Sequence, residues 1–235
     1  MGWDLDFTPL EAGRFHSEIT QTFLPQSSIG SGKFYGKVLQ TGSTLKDYRT
    51  FVIPMADDVE YLWRKHSIKG NTLSLFPPSG ELHSVSNQHF KVYTMSFTEA
   101  LMEKVLGEAN SSSIEKEIRG ENSWSLKKPD VLLIRHLCAK ALRSAKMKAG
   151  FQFLDEEILR AIFRAILAAL GNQPVQSSRY SYCPIGSDLG KWIMNKDKAQ
   201  AYLTEYYADA SISERTIQSH FKNQYGISPK KFMTL

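Results

Sequence analysis

Two cysteines occur in the 235 residues, Cys138 and Cys183, in no pairing or metal-ligand spacing. That argues against a disulfide-stapled scaffold and for a reducing compartment. The start, Met1-Gly2-Trp3-Asp4, lacks a basic region followed by an apolar run, so no secretory leader is expected. Asp6 stands where a myristoylation motif needs Ser or Thr. No apolar run approaches the length of a membrane span, which leaves a cytoplasmic protein as the expectation. No Gly-rich phosphate loop is present. The histidines, His16, His66, His83, His89, His136 and His220, include no His-x-His pair, so no catalytic metal is expected.

What is present is an ordinary composition, 42% hydrophobic and 23% charged, sufficient for a sizeable core in one or two domains. Residues 1–97 read as short strands. Phe34–Leu39, Thr50–Ile53, Glu60–Trp63, Thr72–Phe76 and Phe90–Phe97 are rich in β-branched and aromatic residues. Turn formers separate them at Gly30-Ser31-Gly32, Gly42-Ser43, Lys69-Gly70-Asn71 and Pro77-Pro78-Ser79-Gly80. Many short strands at close spacing predict a small barrel or sandwich rather than a parallel α/β sheet. Phe51, Tyr61 and Trp63, on the middle strands, are candidates for lining a small-molecule site. The plain alternative is apolar barrel filling.

Ser96-Phe97-Thr98-Glu99 has the capping-box form and predicts a helix running toward Gly107. The polar, Ser-rich stretch 108–122 predicts a loop. Pro129 suits the first turn of a second helix, with Ile134, Cys138, Ala141, Leu142 and Ala145 on one stripe and a break at Gly150. The most amphipathic stretch follows. Leu159, Ile162, Phe163, Ile166, Leu167 and Leu170 recur at three- and four-residue steps up to Gly171. Such a stripe suits the chain's own core or a seam with a partner helix. Pro174, Ser177, Ser178, Pro184 and Gly186 mark 172–187 as a linker. Beyond it, Leu189, Trp192 and Ile193 mark a bracing helix, and a short helix is expected from about Thr204 to Ala210.

The most specific signal runs from Ala208 to Pro229. Ser213 suits an N-cap, Glu214 the positive end of the helix dipole, and Ile212 with Ile217 a hydrophobic staple. Gly226 suits an αL stop, and Ser228-Pro229 a restart with proline in the first turn. Ile217, Phe221 and Tyr225 share one face, while Arg215, Gln218, Ser219 and Lys222 share the other. The formal charge is +5, and in Ser213–Leu235 the basic Arg215, Lys222, Lys230 and Lys231 stand against Glu214 alone. A basic face fits nucleic acid, as it also fits any solvated surface.

Ser213 to Phe221, followed by Tyr225-Gly226-Ile227-Ser228-Pro229-Lys230-Lys231-Phe232, resembles the first helix-turn-helix of the AraC/XylS family of bacterial transcription regulators. That family's pattern reads Ser-x-Arg-x-Leu-x-x-x-Phe, then Gly-x-Ser-Pro and an aromatic residue. Leu10-Glu11-Ala12-Gly13-Arg14-Phe15 and Leu75–His83 resemble parts of its sensor domain, a cupin-like barrel. The resemblance implies an α+β chain with a cupin-like β-barrel sensor at 1–97 and a helical dimerisation segment at 98–171. A linker at 172–187 and a small all-α DNA-binding domain at 188–235 would complete it. The resemblance also implies that Arg215, Gln218 and Ser219 face bases, with Lys222, Lys230 and Lys231 on phosphates. Leu159, Phe163, Ile166 and Leu170 would then form the seam of a homodimer. Double-stranded DNA and a small-molecule effector are the implied partners, with no cofactor, no membrane and no enzymatic activity. Tyr207 and Ser211 depart from the pattern, standing where a small Ala and a tight-turn Gly are usual. The family's second helix-turn-helix does not fall within the residues given, which stop at Phe232-Met233-Thr234-Leu235. The alternative is a dimerising interaction protein that poisons a longer partner without binding DNA productively.

Overall fold

Residues up to Thr98 pair into β1 (Asp4–Pro9), β2 (His16–Leu24), β3 (Ser27–Tyr35), β4 (Val38–Ser43), β5 (Tyr48–Pro54), β6 (Tyr61–Trp63), β7 (His66–Ile68), β8 (Thr72–Phe76), β9 (Glu81–Ser86) and β10 (His89–Thr98). The computed structural model describes residues 4–11, 15–63, 66–109, 114–115, 118–119, 122–147, 156–171, 178–179, 213, 215–216, 218–219, 222 and 228–232. Two short strands, β11 (Asn122–Ser125) and β12 (Ser178–Arg179), complete the sheets. One sheet runs β1-β4-β9-β6-β7 and the other β12-β11-β8-β5-β10-β3-β2, with every pairing antiparallel.

The expected barrel is therefore a pair of facing sheets. Closure needs each strand paired on both sides, and among the described residues β1, β7, β2 and β12 remain edges. Strands β5, β6, β8 and β10 fall where composition places them. The expected turn Gly30-Ser31-Gly32 instead lies mid-strand in β3. A Cβ on Gly30 would sit 2.7 Å from Thr94 Oγ1 and 2.9 Å from the Thr20 carbonyl, so this glycine serves close strand packing. The chain turns at Gly36, whose φ of 126° suits glycine, and this splits the expected strand 34–39 between β3 and β4.

Helices α1 (Glu99–Ala109), α2 (Lys128–Met147) and α3 (Glu156–Gly171) cover the outer face of the seven-stranded sheet, and α4 (Pro229–Phe232) follows later in the chain. Thr98, rather than Ser96, caps α1: its Oγ1 accepts the Leu101 N–H at 3.3 Å. Ser96 is buried in β10, 2.9 Å from the Thr50 hydroxyl. Pro129 lies in the first turn of α2, and Ile134, Cys138, Ala141 and Leu142 are buried as the stripe predicts. Arg135 ties this helix to the sheets. Its guanidinium donates to the Pro54 carbonyl, the Gly70 carbonyl and Asp57 Oδ1, each at 2.7 Å. That contact holds the Asp57 carboxyl below the usual carboxylate range.

The seam expected between two copies is a correction. Leu159, Phe163 and Ile166 are fully buried within one chain, and Leu170 is only 8% exposed. They pack with Ile29, Phe51, Ile53, Leu73, Leu75, Met95 and Phe97 from the sheet. The Phe163 ring lies 6.0 Å from Phe51 and 5.0 Å from Phe97. An amphipathic stripe demands cover, and here the bare outer face of a sheet supplies it. Helices and strands share this core, so position 97 does not divide two cores. The expected loop 108–122 ends in β11, whose Trp124 is buried in the same core, and the expected linker contributes β12. Cys183, Leu189, Trp192, Ile193, Thr204–Ala210, Ser211, Ile212, Ile217, Phe221, Tyr225 and Gly226 lie outside the described residues.

Candidate functional site

Side chains alternate across a strand, so the central strands of the seven-stranded sheet, such as β5 and β10, show one set to the helices and the other to the five-stranded sheet. Between the sheets lies a cavity of about 190 Å³. Its apolar wall comes from Leu5, Phe7, Phe34, Val52, Phe76, Leu82, Phe90 and Val92. Register explains the polar part. Phe7, Gln40, Ser84 and Trp63 are successive partners across β1, β4, β9 and β6. Gln21, Gly30, Thr94 and Val52 are successive partners across β2, β3, β10 and β5.

Gly32 explains part of the hollow. The nearest atoms to a Cβ built there are on the Phe34 ring, 3.5 Å away, and on Val92 at 4.0 Å. A side chain at this position has room, and its omission leaves space inside the wall.

Gln40 is 4% and Ser84 3% exposed, and both face the cavity. Gln40 Nε2, Ser84 Oγ and the Nε2 of Gln21 are buried with no hydrogen-bond partner among the described residues. Burying such a group unpaired costs about 1–3 kcal/mol. Orphans of this kind persist where a bound molecule or ordered water completes them.

Of the three aromatics expected to line a small-molecule site, Tyr61 does so. Phe51 does not: it points to the opposite face, against Phe97 and Phe163, because β5 turns Val52 inward and Phe51 outward. Trp63 shares the row of Gln40 and Ser84 but packs tilted against Phe76, ring centroids 4.4 Å apart, behind the cavity lining. Sequence reasoning missed Gln21, Gln40 and Ser84. Their signal was a polar residue at an inward position of an apolar strand, readable once Gly36 rather than Gly30–Gly32 is taken as the turn.

Further along, Ser213 Oγ accepts the Thr216 N–H at 3.2 Å, the bond expected of an N-cap. Arg215, Gln218, Ser219 and Lys222 are helical and exposed. Ser228 Oγ accepts the Lys231 N–H at 3.3 Å, Pro229 opens α4, and Lys230 and Lys231 are exposed. Among the described residues no group of three or more His, Cys, Asp or Glu side chains is gathered to hold a metal ion. Cys138 is enclosed in the core with its Sγ 3.3 Å from Met95 Sδ, and burial pushes its thiol pKa up, away from the reactive thiolate. None of the described helices is long and apolar enough to cross a membrane.

Two facing antiparallel sheets with a helical layer on one outer face give a fold shared with an AraC-like regulator. The solved structure of the AraC-like transcriptional activator CuxR superimposes with a TM-score of 0.51 over 98% of this chain and 83% of that one, at 10% identity. ToxT from Vibrio cholerae is also similar, with a TM-score of 0.36, 8% identity, and coverage of 93% of this chain and 79% of that one. The Schizosaccharomyces pombe Cnp3 cupin domain matches at a TM-score of 0.28 and 14% identity, over 41% of this chain and 76% of that one. No family model and no curated protein matches the chain.

Proposed function

We propose that this chain is a cytoplasmic transcriptional regulator of AraC type. It senses a small molecule in the cavity between its sheets and reads double-stranded DNA with the helix that starts after Ser213. In this reading the strands up to 97 and the helices of 98–171 form the sensor. Residues 188–235 form the reader, and 172–187 join the two. Arg215, Gln218 and Ser219 face base edges, with Arg215 suited to a bidentate contact on guanine. Lys222, Lys230 and Lys231 hold phosphates and position the helix without specifying sequence. The protein acts by binding and carries out no catalysis.

The observation that carries the reading is the exposed stripe of Arg215, Gln218, Ser219 and Lys222 behind a capped helix start, in a chain with the fold of an AraC-like activator. The alternative, a dimerising protein acting through residues 129–170, loses the Leu159–Leu170 part of its surface, which is buried, and keeps Leu132 and Leu133 of α2, which are exposed. Selection from a random duplex library at two salt concentrations tests the proposal. Arg215→Ala should reduce sequence preference more than total affinity. Lys222→Ala should weaken all duplexes alike and lower the salt slope by about one. If the wild type shows no preference, or Arg215→Ala keeps all of it, DNA reading by this helix is wrong.

A further inference from the structure

We propose that the cavity takes a small uncharged molecule bearing a carbonyl-type oxygen, held by the side-chain amide of Gln40 and the hydroxyl of Ser84, with the amide of Gln21 on the opposite wall. This rests on reading the cavity as the sensing site.

Size sets the first limit. A 150 Å³ apolar cavity holds benzene, so about 190 Å³ suits roughly one ring with a short chain. Charge sets the second. None of the described lining residues is Asp, Glu, Lys, Arg or His. A carboxylate or ammonium entering this wall would lose water and meet no opposite charge among the described lining residues, a far larger penalty than a neutral polar group suffers.

The orphaned atoms set the third limit. An amide Nε2 is a donor and needs an acceptor, whereas a hydroxyl serves either way. Gln40 and Ser84 are direct register partners on β4 and β9, so their polar ends share one patch of wall. A carbonyl oxygen has two lone pairs and can accept from two such groups. Phe34, Leu82, Phe90 and Val92 then cover the apolar remainder of the ligand. A purely apolar molecule fits the volume but leaves the amides unpaired, and sites built to hydrogen-bond reject analogues that lack the matching group.

Three probes of nearly equal size separate these limits: benzylacetone (a ketone), hydrocinnamate (a carboxylate) and butylbenzene (neither). Calorimetric titration of the full chain should find benzylacetone bound at least about tenfold more tightly than the other two, a factor that two net hydrogen bonds supply. Gln40→Met keeps the volume and removes the donor. It should bring benzylacetone down toward butylbenzene while leaving butylbenzene within about twofold. Gly32→Leu should fill the cavity and abolish binding, with circular dichroism checking that each variant folds.

If hydrocinnamate or butylbenzene binds best and Gly32→Leu abolishes it, the ligand class is overturned while the cavity stays the binding site. If no probe binds the wild type, or binding survives Gly32→Leu, the class and the sensor reading fall together.

Discussion

The two faces of the seven-stranded sheet are built from the same strands yet end differently. Ile53 and Val52 are neighbours in β5. Ile53 joins Phe51, Leu75, Met95 and Phe97 in a core that α1, α2 and α3 cover. Val52 faces a hollow, beside Gly32 on the same sheet and facing the five-stranded sheet's Gln40 and Ser84. Two positions along the strands, on the same face as Val52, Thr50 and Ser96 are buried polar residues that bond each other at 2.9 Å. Polar burial by itself is therefore not what marks the site. The mark is unpaired polar atoms lining unfilled volume, and among the described residues the cavity face brings the two together at Gln21, Gln40 and Ser84.

Four experiments sharpen or break that contrast. The largest effect is expected at the filled face. Phe163→Ala should cost about 3–5 kcal/mol in denaturant unfolding, and Phe163→Glu should unfold the chain rather than release a folded monomer. A folded, soluble Phe163→Glu protein would restore the surface seam. A matched pair comes next. Leu75→Ala, on the filled face, should cost about 3–5 kcal/mol, whereas Leu82→Ala already borders empty space and should cost nearer to 2 kcal/mol. Equal costs would mean the hollow is filled in solution.

Arg135 joins the two halves by gripping β5, the β5–β6 turn and the β7–β8 turn from α2. Arg135→Met should cost roughly 1.5–3 kcal/mol, the range for hydrogen bonds to a charged group. The Asp57 pair also predicts a pH dependence. Its carboxyl is depressed in the folded state, so its contribution is present above the ordinary carboxylate pKa and is lost as pH falls through the depressed value. Asp57→Asn should flatten the acid limb of a stability–pH curve, and an unchanged limb would mean the pair does not form in solution. The smallest effects come from glycine. Gly32→Ala has room and should stabilise by up to about 1 kcal/mol through a stiffer unfolded chain. Gly30→Ala should destabilise by about 1–3 kcal/mol, because Thr94 and the Thr20 carbonyl must move. A neutral or stabilising Gly30→Ala would refute the close packing described there, and a destabilising Gly32→Ala would refute the room described at Gly32.

Local signals were legible in the sequence. The Ser213 cap, the Ser228-Pro229 restart and the α2 stripe depend on residues three or four apart, and these stand where the pattern puts them. The α3 stripe was half legible: periodicity says that a face must be covered but not by what. Glycine was ambiguous, since Gly30 and Gly32 read as a turn when backbone freedom is assumed and as a strand when close approach is the reason. The cavity was least legible. Gln40 and Ser84 meet only through the β4–β9 register, and Gln21 reaches the hollow from an edge strand, pairings no local window contains. Phe51 and Tyr61 looked equivalent because parity within a strand cannot be fixed before its register is known.

The most direct test follows the methyl groups of both faces by NMR as benzylacetone is added to the full chain. The account predicts shifts at Val52, Leu82 and Val92, with Ile53, Leu75 and Ile166 unmoved although Ile53 is the next residue to Val52. Shifts confined to the second set, or an even spread over both faces, would contradict the assignment of the binding site to the hollow face.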